Sequence, residues 1–119
     1  MSYDISFRVK VEGADVWVDV GECDANITWN LREMIVKSTG LEWKNEDNNG
    51  YCIDVIPHIE RGLAELNRSP EKYKQYEAPN GWGTIEGCKR FYQDILDAWH
   101  EFKKFQAYEL INLATFWIY

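Results

Sequence analysis

A chain of 119 residues and 14.0 kDa fits one domain, 1–119, because an independent core takes about 100–200 residues. Its residues are 45% hydrophobic and 15% aromatic, which excludes disorder and low complexity. With 20 acids against 13 bases, the net charge of −7 opposes binding to long duplex nucleic acid, since phosphate binding rests on cations, and no such partner is expected.

In chain order, the first signal is period-2 alternation. Ile5, Phe7, Val9 and Val11 share one face and Ser6, Arg8 and Lys10 the other, which predicts a half-buried strand. After Gly13-Ala14, Val16, Val18 and Val20 alternate with Asp15, Trp17 and Asp19. The spacing predicts a hairpin with a two-residue type II′ loop, in which Val11 faces Val16, Val9 faces Val18, Lys10 faces Trp17 and Arg8 faces Asp19. Over 26–39 the period becomes helical through Leu31, Met34, Ile35 and Ser38; Thr28 or Asn30 can cap the start, and Gly40 sits where a helix stops. Residues 44–50 are polar and turn-rich and read as an exposed connection. A second helix is expected over 54–67, striped by Val55, Ile59, Leu63 and Leu66 and capped by Asp54, with Pro57 in its first turn. Ser69-Pro70 opens a brief third helix that carries Tyr73 and Tyr76. Thr84 caps the longest helix, whose stripe of Ile85, Cys88, Phe91, Ile95, Trp99, Phe102 and Gln106 makes it the packing spine. The β-branched and aromatic residues 114–119 predict a strand that joins the N-terminal hairpin. The expected fold is α+β: a small sheet of hairpin and C-terminal strand, with three to four helices packed on one face.

Little in the chain points to catalysis. His58 and His100 stand far apart without partner ligands, so no metal or other cofactor is expected. No nucleophile elbow surrounds any Ser or Cys, and Glu42-Trp43-Lys44 only echoes a nuclease tripeptide, so no catalytic residues are assigned. Cys23, Cys52 and Cys88 match neither a zinc pattern nor a disulfide framework, and three reduced, mostly buried thiols are expected. The start Met1-Ser2-Tyr3-Asp4-Ile5 lacks the basic and apolar regions of a signal peptide, and no apolar run approaches the roughly 18 residues of a membrane span. A cytoplasmic protein without membrane contact is expected.

Two surfaces carry the functional expectation. Asn80, Gly81, Trp82, Gly83 and Thr84 run into a helix start, where free amides at Gly83, Thr84 and Ile85 can hold an anion. Trp82 can stack on a base, and Lys89 or Arg90 can add charge one turn on. The alternative role for Trp82 is an anchor tucked under the helix. On the hairpin, Trp17 lies outward between Asp15 and Asp19, as an interface residue, in a cation–π contact with Lys10, or under the C-terminal strand. Residues 1–24 hold six acids, Asp4, Glu12, Asp15, Asp19, Glu22 and Asp24, against Arg8 and Lys10. That surface suits a basic partner, or serves as a solvated edge that discourages aggregation. Most of the six tryptophans are expected in the core.

The segments 67–73, 79–83 and 86–87, with Tyr3-Asp4-Ile5, Asn26-Ile27-Thr28 and the closing Thr-Phe-Trp strand, resemble short uncharacterised proteins encoded by phages and prophages. The resemblance covers most of the chain and implies a setting rather than a chemistry: phage accessory proteins often bind host defence proteins or sequester defence-signalling nucleotides. The expected function is therefore a non-enzymatic, homo-oligomeric anti-defence protein that holds a small nucleotide-like ligand near Trp82. The alternative is a protein–protein inhibitor that covers a host defence enzyme with its acidic hairpin.

Overall fold

Alternation from Tyr3 to Val9 produces the strand on which the domain is built. In the computed structural model, which describes residues 2–21, 23–105 and 108–119 (Tyr108 by backbone only), β1 spans Ser2–Lys10. Met1 of the N-terminal reading, Glu22 of the acidic set and Gln106 of the helical stripe lie outside the described residues. Strands β2 (Trp17–Gly21), β3 (Asn26–Thr28), β4 (Asp47–Tyr51) and β5 (Thr115–Ile118) complete a sheet of order β2-β1-β5-β4, with β3 also on β1. Helices α1 (Arg32–Thr39), α2 (Cys52–Arg68), α3 (Pro70–Tyr73), α4 (Ile85–Phe105) and α5 (Tyr108–Leu113) join them in an α+β domain.

Every described pairing is antiparallel. The hairpin register is the predicted one, with Arg8 opposite Asp19, Val9 opposite Val18 and Lys10 opposite Trp17. Its loop is not the predicted two-residue turn. The last ladder bond runs from the Val11 amide to the Val16 carbonyl at 2.8 Å, and the Ala14 amide turns back onto the Val11 carbonyl at 3.2 Å. The chain thus turns over residues 11–14, with Gly13 at φ +79° as the third residue of the turn, before Val16 resumes the ladder. The C-terminal strand joins β1 as predicted, with Ile5 opposite Ile118 and Phe7 opposite Phe116.

The inward face of β1 and β5 meets α4, whose buried stripe Ile85, Cys88, Phe91, Ile95, Trp99 and Phe102 follows the predicted period, with Tyr92 and Leu96 beside it. Phe7 meets Trp99 edge-on at 5.6 Å and Phe102 at 5.9 Å. Gly40 closes α1 in the left-handed region, at φ +76°, as its place in the sequence predicts. Beneath these helices Ser38 and Tyr92 share a buried hydroxyl hydrogen bond of 2.7 Å.

Several expected boundaries move, each for a tertiary reason. Residues 26–28 are strand because they pair with Ser2, Tyr3 and Asp4; a 3₁₀ turn, Trp29–Leu31, precedes α1, and Thr28 accepts the Asn30 amide at 3.3 Å. The supposed connection at 44–50 contains β4, an edge strand without apolar alternation. It is held by pairing to β5 and by Asn49, which bonds both the amide and the carbonyl of Lys44 at 2.9 Å. Helix α2 starts at Cys52, before the expected Asp54 cap, because the Tyr51–Thr115 pair leads directly to a Cys52 amide bond on the Ala114 carbonyl. Pro57 therefore sits inside α2 rather than in its first turn, on an exposed side where water can meet the carbonyl left without a partner. Ser69 precedes Pro70 as expected, but its side chain makes no cap bond. Helix α5 had no periodic signal long enough to read, and it packs Leu110 and Ile111 onto the core.

Candidate functional site

The expected ligand loop begins where Glu77 leaves a 3₁₀ turn, Lys74–Tyr76, with extended backbone. The Ala78 amide bonds the Gly83 carbonyl at 2.9 Å, the Gly81 amide bonds the Ala78 carbonyl at 3.0 Å, and the Asn80 side chain accepts the Trp82 amide at 3.0 Å. Gly83 lies against Leu31 so closely that a Cβ there would stand 2.9 Å from the Leu31 Cγ. This bracing pushes Trp82 outward, 72% exposed. It is not the anchor under the helix.

The anion site expected beside it is engaged at one of its three amides, that of Ile85. Thr84 caps α4 as predicted, its Oγ1 accepting the Gly87 amide at 3.0 Å. The Ile85 amide, expected to be open, donates to Glu77 Oε2 at 2.9 Å. The protein thus places its own carboxylate where the helix N-terminus would attract an anion. A shallow depression of about 490 Å³ beside the loop includes Asn30, Tyr76, Pro79 and Asn80, and its charged groups are Glu33 and Glu77. The expected cations are elsewhere. Lys89 pairs with Glu86 at 3.0 Å and Arg90 with Asp94 at 3.3 Å, and both line a different depression with Leu63, Asn67 and Gln93. The depression beside the loop thus carries carboxylates, and neither Lys89 nor Arg90 lines it.

The hairpin keeps more of its expected chemistry. Arg8 Nε reaches Asp19 Oδ1 at 2.9 Å and Ser6 Oγ at 2.8 Å, and its guanidinium lies over the rings of Trp117 and Tyr119 at 4.8 and 5.3 Å. Trp17 is half-buried against Trp117, with ring centroids 5.2 Å apart. Cover by the C-terminal strand is thus the arrangement found for Trp17, and the cation of this cluster is Arg8 rather than Lys10. Asp15 stands exposed in the turn, and the Asp19 side chain is 67% exposed on β2.

The exposure of the opposite side of the hairpin leaves no signal in the sequence. Val11, Val16 and Val18 are 40%, 52% and 44% exposed. Their alternation matches core residues, but the helical cover ends near Val9 and Val20, which do pack on the core. Nothing in a local pattern states how far a distant helix reaches. The tryptophan expectation fails for a similar reason: Trp43 and Trp99 are buried, Trp17 and Trp117 half-buried, and Trp29 and Trp82 exposed.

The three cysteines are free. Burial pushes the Cys23 thiol up to about 11 and Cys88 up to about 12, and raises Cys52 further. Burial, then the hydrogen bond to Glu65, raises the Tyr73 phenol to about 12. Because native values exceed unfolded ones near 9 and 10, the unfolded chain releases these protons first. Stability is therefore expected to hold below about pH 9 and to fall as pH rises toward about 12. Urea midpoints on either side of that window measure it, and alkylation should be slow in the native protein and rapid in urea.

Among the described residues no cluster of three or more His, Cys, Asp or Glu is placed to hold a metal ion. No helix there is long and apolar enough to cross a membrane. The class defined by these observations is a small α+β domain whose acidic hairpin end is exposed. No protein-family model, curated protein or solved structure matches the chain.

Proposed function

We propose that this protein acts by binding another protein, with the β1–β2 hairpin as the docking surface and a basic, partly apolar surface as its target. The observation that carries the reading is the coincidence on one element of exposed Val11, Val16 and Val18 with Glu12, Asp15 and Asp19. Apolar area supplies affinity, and surrounding charge supplies rate and selectivity. The resemblance to phage-encoded proteins supports a host defence protein as the target. The Trp82 loop is the weaker candidate, since at its helix start the Ile85 amide is taken by Glu77 and a nucleotide phosphate would meet carboxylates there.

The test is a charge reversal. In cells that carry the target, the wild-type chain is expected to co-purify with a basic protein that is released by raising salt, because exposed charge pairs are screened. A variant carrying Glu12→Lys, Asp15→Lys and Asp19→Lys, with an unchanged circular dichroism spectrum, is expected to lose that protein. Retention by the triple variant, or loss on Trp82→Ala instead, contradicts the reading.

A further inference from the structure

Strand β2 is an edge of the sheet, and its outward backbone groups follow from the ladder. The Val11–Val16 pair is hydrogen-bonded, at 2.8 Å. Antiparallel ladders alternate bonded and non-bonded pairs, so Val9–Val18 is bonded while Lys10–Trp17 and Arg8–Asp19 are not. The N–H and C=O groups of Val18 accordingly turn toward β1. Those of Trp17 and Asp19 turn outward along an edge that, among the described residues, has no strand beyond it in the order β2-β1-β5-β4. On one face of that edge Val16 and Val18 are open to solvent. On the other, Asp19 Oδ1 accepts a hydrogen bond from Arg8 Nε, and the second carboxylate oxygen is left for another donor.

We propose that an extended segment of the partner adds to β2 as an antiparallel strand, placing an apolar side chain opposite Val18 and a lysine or arginine opposite Asp19. This rests on the reading of the hairpin as the docking surface and specifies its chemistry. Main-chain bonds to Trp17 and Asp19 supply affinity, and the alternating side chains supply selectivity. Charge decides between occupants of the edge. Residues 12–19 carry Glu12, Asp15 and Asp19 and no base, so a second copy of this edge would bring like charges together, whereas an alternating basic and apolar strand meets acids on one face and valines on the other. Acidic residues on an open edge also keep identical chains from pairing.

The probe is a nine-residue capped peptide alternating lysine and valine, with a glutamate–valine peptide as control, read by amide NMR on the full chain. The lysine peptide is expected to shift and protect the Trp17 and Asp19 amides, and the glutamate peptide to leave them unchanged. Asp19→Asn should weaken binding about two- to fivefold. Asp19→Pro should weaken it further, because proline also removes an outward donor while taking no bond from β1. Protection of the Val18 amide checks that the hairpin persists in each variant. Equal binding of both peptides, equal binding by the Asn and Pro variants, or shifts confined to the Trp82 loop would overturn strand addition. Concentration-dependent protection of Trp17 and Asp19 in the protein alone would overturn it too, by assigning the edge to a second copy. If the triple lysine variant loses the cellular partner while the Asn and Pro variants bind alike, strand addition fails and the docking surface stands. If the triple variant keeps the partner, the docking surface itself fails.

Discussion

Replacing Trp43 with alanine is expected to remove about 3–5 kcal/mol of stability, a large part of the roughly 5–15 kcal/mol that holds a small domain together. Trp43 is 1% exposed and sits where sheet and helix meet. Its ring stands edge-on to Tyr3 at 5.7 Å, to Phe91 at 5.9 Å and to Phe116 at 6.1 Å, and its carbonyl accepts Arg32 Nη2 at 3.0 Å. Alanine would empty the space between two strands and α4. The indole N–H, however, finds no acceptor among the described residues, and a buried donor without a partner itself costs about 1–3 kcal/mol. Trp43→Phe should therefore cost far less than Trp43→Ala, since it keeps an aromatic ring and removes the unpaired donor. Urea unfolding of the two variants measures the difference. Equal losses would mean that the indole's full volume, rather than aromatic contact, is what the core requires.

Gly62→Ala is expected to destabilise, although alanine is favoured over glycine inside a helix by about 1 kcal/mol. Gly62 lies in α2 at the crossing with α1 and α4. A Cβ there would stand 2.8 Å from the Thr39 methyl and 2.8 Å from Tyr92 Cε2. Neither neighbour is free to swing aside. Thr39 Oγ1 donates to the Ile35 carbonyl at 2.6 Å, and the Tyr92 hydroxyl is bonded to Ser38 at 2.7 Å. Overpacking of this kind costs about 1–3 kcal/mol and outweighs the gain in propensity. Gly62→Val adds two methyl groups to the same contact and should melt lower still. Thermal melts of both variants against the wild type are the measurement, and a rise in melting temperature for Gly62→Ala would show that α2 can shift by a few tenths of an ångström.

What the sequence revealed of the fold follows the range of the interactions involved. Hairpin register was legible because charge and apolar pairing across β1 and β2 involve neighbours in sequence, and α4 was legible because its stripe repeats over many turns. The reach of Thr84 to the Gly87 amide is equally local. By contrast, β4 has the sequence Asp-Asn-Asn-Gly-Tyr and is a strand only because β5, far along the chain, offers it an edge. The early start of α2 has the same origin, through the carbonyl of Ala114.

The candidate sites divide in the same way. The sequence shows Trp82 as a ring in a Gly-rich turn, but its neighbourhood depends on Glu77 folding back over the helix start, and an acid eight residues before an amide carries no motif. Proximity in sequence places Lys89 and Arg90 beside the loop, whereas helix geometry pairs them with Glu86 and Asp94. The hairpin acids needed no such geometry. What could not be read was that the valines behind them lie beyond the helices.

Hydrogen–deuterium exchange on the complex isolated with its cellular partner shows which surface docks. Amides of residues 11–19 are expected to slow markedly relative to the free chain while residues 78–86 exchange as before. Slowing confined to 78–86, with 11–19 unchanged, would contradict docking by the hairpin.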